Sequence, residues 1–157
     1  GTPAFQVERL KQGDALPAAA LTVPPAATRA RLDLFSTGHG LVGQPPCDEF
    51  CKRENRVTFD AAPMFSETPW TDCSANCTRV PISHSISCGG DTFDYVCGEN
   101  PMACPSSPTF DRSGWCPGQA SEAFRVDLGD ARDGTLQWSV PGVEGFWSAS
   151  GAVVWLR

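Results

Sequence analysis

The chain has 157 residues, 41% of them hydrophobic and 19% charged, enough apolar matter for one folded domain of ordinary size and too much for a disordered chain. Its formal charge is −6 and no Lys/Arg cluster offsets it, which excludes a nucleic-acid backbone as partner. No run approaches the roughly 20 apolar residues needed to span a bilayer.

Fifteen glycines and 14 prolines favour turns over long helices. Eight cysteines are too many for an ordinary reduced cytosolic protein, and their even number points to disulfides and to a secreted, periplasmic or extracellular location. The chain opens Gly1-Thr2-Pro3 without the basic and apolar regions of an export signal, so a mature or excised form is expected.

Along the chain, apolar residues recur mostly at period two. Phe5–Leu10 reads as a first strand. From Leu16 to Ala27 the prolines at 17, 24 and 25 rule out a regular helix. Arg29–Phe35 alternates cleanly, with Ala30, Leu32 and Leu34 opposite Arg31, Asp33 and Phe35, the pattern of a half-buried strand. Thr37-Gly38-His39-Gly40 is then expected as a turn, its glycines taking backbone angles that other residues avoid.

Arg56–Asp60 is the next strand. From Pro63 to Pro108 periodicity is lost, and a structureless loop of that length is unusual in a compact domain. Five cysteines lie in this stretch, where covalent closure replaces apolar contacts, at roughly 3 kcal/mol for a loop of about 15 residues. Ala123–Leu128 and Thr135–Val140 are strands separated by Asp133-Gly134, a hairpin-turn signal. Trp147–Leu156 closes the chain with apolar residues on both faces, as in a central strand. The sum is an all-β, disulfide-stapled, antiparallel β-sandwich of jelly-roll type with a long cysteine-rich loop, forming a single domain over 1–157.

Two short motifs carry chemistry. In Cys47-Asp48-Glu49-Phe50-Cys51 a bridge between cysteines four apart requires a tight loop, because their Cα atoms must approach to about 4.4–6.8 Å. Such a loop would fix Glu49, and a fixed reacting group is worth much to catalysis; the plainer reading is an exposed turn acid on a brace. In Asp111-Arg112-Ser113-Gly114-Trp115-Cys116-Pro117-Gly118 an arginine beside a tryptophan suits a polar, ring-shaped ligand, through forked hydrogen bonds and packing on C–H surface. The plainer reading there is a structural loop with a core Trp.

Together with the Gly38–Gly40 segment, the Arg56–Asp60 strand, Cys73-Ser74-Ala75-Asn76 and three closing strands, these motifs resemble the carboxy-terminal jelly roll of the peptide-N-glycosidase F family, most strongly over residues 29–157. The resemblance implies two side-by-side jelly rolls with an active site in the cleft between them. It also implies hydrolysis of the asparagine–N-acetylglucosamine amide of N-glycoproteins without a metal or other cofactor. By the same resemblance Glu49 and Arg112 are the catalytic residues of this half, with His39, Asp48, Phe50 and Trp115 as candidate substrate contacts. Cys47–Cys51 and Cys73–Cys116 are the bridges it implies.

The family's main catalytic aspartate belongs to the other jelly roll, and neither Asp60 nor Asp111 takes its place. The expectation is therefore part of an amidase, inactive alone, whose partners are an N-glycan or glycoprotein and a second jelly-roll domain. The alternative is a non-catalytic glycan- or protein-binding module. Cys77, Cys88, Cys97 and Cys104 are additional to the family pattern and allow three pairings. Asn76-Cys77-Thr78 is a formal glycosylation sequon. Copper is disfavoured because His39 and His84 form no paired motif. Zinc held by thiolates would need a reducing compartment, and no nucleophile elbow occurs.

Overall fold

A computed structural model describes residues 1–40, 47–72, 85–88, 91–94, 112–116 and 120–157, with backbone alone at 47, 85–88 and 91–94. Ten strands lie among them: β1 (Thr2–Leu10), β2 (Ala18–Leu21), β3 (Arg29–His39), β4 (Asn55–Phe59), β5 (Ala62–Glu67), β6 (Ser85–Cys88), β7 (Asp91–Asp94), β8 (Phe124–Asp130), β9 (Gly134–Ser139) and β10 (Phe146–Leu156). One 3-10 turn, Cys47–Glu49, is the only helix of the described residues, and no helix there is long and apolar enough to cross a membrane.

Two four-stranded sheets face each other, in the orders β1-β10-β3-β8 and β2-β9-β4-β5. Every pairing is antiparallel. Apart from the β4–β5 hairpin and the separate β6–β7 pair, successive strands pass from one sheet to the other, as in a jelly roll. The core between the sheets is filled by one face of each strand: Ala30, Leu32 and Leu34 from β3, Val126 and Leu128 from β8, Leu136 and Trp138 from β9, and Trp147 and Val153 from β10. Fully burying a side chain such as Leu or Val contributes about 1.5–3 kcal/mol. One polar cluster crosses this interior. The Asn55 Oδ1 accepts from the Ser36 hydroxyl at 2.6 Å and from the Trp138 indole at 2.9 Å, joining β3 of one sheet to β4 and β9 of the other.

The alternation over Arg29–Phe35 and the central position of the last strand are as the sequence implies: β10 lies between β1 and β3. Four expectations change. Thr37 to His39 continue β3 rather than turning, because Thr37, Gly38 and His39 pair with Ser148, Trp147 and Phe146. Asp133-Gly134 does not close a hairpin, since β8 and β9 belong to different sheets. Asp133 instead accepts the Val23 amide at 2.8 Å as the chain crosses over. Ala18–Leu21 and Ala62–Glu67 are strands, the second opened by a two-residue turn in which Asp60 (φ 48°) and Ala61 (φ 65°) are both left-handed. Being an edge, β5 tolerates Pro63 and buries little, so it carries no alternation to read. Within the cysteine-rich stretch, β6 and β7 form a hairpin.

Candidate functional site

Three segments meet at one end of the sandwich: the end of β3, the 3-10 turn with the loop after it, and residues 112–116. Gly38 is where they touch. A Cβ there would sit 2.3 Å from the Asp48 carbonyl oxygen and 2.8 Å from the Trp147 ring. Close approach of backbone, not a turn, requires the glycine. Gly38 donates its amide to the Ser113 carbonyl at 3.0 Å, and Ser113 donates its own to the Glu49 carbonyl at 2.9 Å. The Ser113 hydroxyl reaches the Cys51 carbonyl at 2.7 Å. Gly114 has φ +81°, and a side chain there would strike the Ser36 carbonyl. Arg112 and Thr71 exchange both backbone hydrogen bonds, at 2.8 and 3.1 Å.

On this backbone Glu49 and Arg112 form an ion pair. The second Glu49 carboxylate oxygen lies 3.5 Å from the Gly40 amide. The arginine side chain has no exposed surface, whereas Glu49 retains 12%. The Arg112 guanidinium is flanked by Phe50 at 5.0 Å and Trp115 at 4.7 Å. Burial pulls its pKa down to about 10, which still leaves it a cation at neutral pH. The stack runs on: His39 lies 5.4 Å from Trp115 and 5.0 Å, nearly parallel, from Phe146. Arg9 lies over the Phe146 ring, 4.5 Å from its centre. Six side chains from five segments therefore form one ladder of two guanidinium groups and four rings, each contact of the kind that favours cation–π attraction or ring packing. His39 is lowered below the ordinary imidazole value, first by burial and then by the field of Arg112.

Asp48 departs from its expected role. Expected to touch substrate, it is fully buried and accepts from the Glu144 amide at 2.9 Å, from the Gly145 amide and from the Trp147 indole at 3.0 Å. Arg53 pairs with it at 3.3 Å. Asp48 thus anchors the turn from beneath while its neighbour Glu49 faces the rim.

Over residues 8–151 the sequence matches the family described as peptide-N-glycosidase F, C terminal. The chain belongs to that family. The match reaches further toward the amino terminus than the motifs by themselves do, taking in β2 and the end of β1. Three solved structures share the fold. PNGF-II has 22% identity and a TM-score of 0.64, covering 98% of this chain and 29% of its own. Recombinant peptide: N-glycanase F (PNGase F) has 18% identity and a TM-score of 0.66, covering 97% and 49%. PNGase F, a glycosylasparaginase from Flavobacterium meningosepticum, has 20% identity and a TM-score of 0.63, covering 97% and 50%. The chain spans about half the length of PNGase F, and less of PNGF-II. No curated protein sequence matches it.

Within the peptide-N-glycosidase F domain, the two motifs read from sequence converge as the residues imply: Glu49, Phe50, Arg112, Trp115 and His39 share one end of the sandwich. Cys51 and Cys116 are each disulfide-bonded, and no cysteine of the described residues is free. The implied pairings, Cys47–Cys51 and Cys73–Cys116, and the placement of Cys77, Cys97, Cys104, the sequon and Asp111, lie outside the described residues, as do the side chains of Cys47 and Cys88. Among the described residues no three His, Cys, Asp or Glu side chains gather as a metal site. Sequence reasoning missed Phe146 and Arg9, which extend the ladder. Phe146 merges with the apolar run of a strand, and Arg9 is one ordinary surface charge.

Proposed function

We propose that this chain is the carboxy-terminal half of an exported N-glycan amidase that hydrolyses the asparagine–N-acetylglucosamine amide. A second jelly roll completes its cleft, and Cys47–Cys51 and Cys73–Cys116 fix its site. The observation that carries the reading is the Glu49–Arg112 pair, held at the rim by a backbone that tolerates no side chain at Gly38. Hydrolysing an amide needs an activated water, a proton for the leaving nitrogen and stabilisation of the oxyanion. Glu49, the exposed member, meets substrate or its water. Arg112 is enclosed and acts as a positioning residue, orienting the Glu49 carboxylate. A carboxylate already engaged by one arginine does not supply the whole proton inventory, so the second acid comes from the partner half.

The test is glycan release from a denatured N-glycoprotein, comparing the chain alone with the chain joined to its amino-terminal jelly roll. Turnover is expected only in the joined protein and is abolished by Glu49→Gln. Full turnover by the chain alone, or by the joined Glu49→Gln variant, overturns the reading. The closed ion pair also favours a second reading, a module that binds glycan or protein without catalysis. Undiminished glycan binding with no turnover in the joined protein would select it.

A further inference from the structure

Residues 114–116 also border a second feature, a cleft of about 760 Å3. That is within the roughly 300–1,000 Å3 range of small-ligand sites. Its walls come from Ser36 of β3, from the strand-to-loop segment Thr68–Thr71, from Gly114–Cys116, and from Ala120–Phe124 at the start of β8. Among the described residues three aromatic rings line it, Trp70, Trp115 and Phe124, together with the hydroxyl-bearing residues Ser36, Thr68, Thr71 and Ser121. Among the described residues of the lining Glu122 is the one that carries a charge. Lys52 stands 5.3 Å from the Trp70 ring without itself lining the cleft.

We propose that this cleft is a binding subsite for a neutral oligosaccharide, with Trp70 as its specificity-determining residue. Sugars present flat C–H faces rimmed by hydroxyls. Indole rings pack on the first, and threonine or serine hydroxyls and a carboxylate bond the second. The Glu122 carboxylate in the lining repels an anionic ligand. The position of the cleft adds to the chemistry. Trp115 lines it and also packs on Arg112 at 4.7 Å, and Thr71 lines it while pairing through its backbone with Arg112. The cleft therefore shares Trp115 and the Thr71 strand with the Glu49–Arg112 pair, and a glycan whose first sugar lies at Glu49 would pass Trp115 to set its outer sugars beside Trp70. The inference rests on the amidase reading for the identity of that first sugar. It goes beyond that reading in assigning recognition of the distal part of the chain.

The experiment titrates the purified chain with two probes, N,N′-diacetylchitobiose and a neutral branched N-glycan oligosaccharide bearing that disaccharide at its reducing end. The larger probe is expected to bind at least tenfold more tightly. Trp70→Ala removes that advantage and leaves chitobiose binding unchanged, while Trp70→Phe retains part of it. Equal affinity for the two probes, an advantage that survives Trp70→Ala, or binding of neither overturns the subsite. The amidase reading is judged separately, by turnover in the joined protein, so the two fail independently.

Discussion

The interior between the two sheets and the platform of Gly38, Asp48, Arg112 and Ser113 beneath the rim are both closed to water, yet they are packed from different atoms. The interior is aliphatic and indole surface, with Leu32, Leu34, Leu136 and Trp138 on facing sheets. The rim buries a carboxylate, a guanidinium and the backbone of three segments in hydrogen-bond contact. Apolar packing is non-directional and roughly proportional to area, so the interior accepts many sequences of similar pattern. Buried charge costs several kcal/mol unless each atom finds its partner, so the rim accepts few. A site of fixed geometry follows from the second kind of packing, held on a platform built by the first.

The largest expected effect is on Asp48. Asp48→Ala would strand the Trp147 indole, two backbone amides and Arg53, at a cost of about 3–5 kcal/mol in urea unfolding. It would also displace Glu49. Leu32→Ala in the core is expected to cost about 2–5 kcal/mol but to leave Glu49 and Arg112 in place, as read from the Arg112 and Trp115 side-chain NMR signals. If both variants disturb those signals equally, core and rim are one cooperative unit and the contrast fails.

A smaller effect is expected at Gly38. One added methyl meets the Asp48 carbonyl and Trp147, and Gly38→Ala should cost about 1–3 kcal/mol by overpacking. Because three segments must part, the loss should be accompanied by faster hydrogen exchange of the Ser113 amide. An unchanged melting temperature with slow Ser113 exchange would show that the close approach is not needed.

The smallest concerns pH. His39 is held below its ordinary value in the folded state, so the unfolded chain takes up that proton first as pH falls. The stabilisation is complete above the unfolded value of about 6.5 and is lost progressively as pH falls toward the lower folded value. His39→Gln should flatten the dependence of stability on pH in that acidic window and change nothing above it. A wild-type stability that stays level between pH 7 and pH 5 would contradict this.

Period two in Arg29–Phe35, with the further short strand patterns around it, was enough to write an all-β sandwich, because a strand that buries one face must alternate. The same signal failed at β5, an edge with neither face buried, and at β2, four residues set among prolines. It also misread Asp133-Gly134. A turn signal records local backbone preference, whereas which sheet receives the next strand depends on Val23 and Thr28, roughly a hundred residues away.

Composition and spacing by themselves determined the fold class and the two loops worth watching, since these depend on which residues are present and how they repeat; the family entered through the resemblance those loops carry. Tertiary structure alone decided which of two adjacent acids is the anchor and which the exposed group. Asp48 and Glu49 carry the same chemistry one residue apart. Their roles part only when the loop after β10's preceding strand closes over Asp48 and residue 112, 63 positions beyond Glu49, brings an arginine to the other.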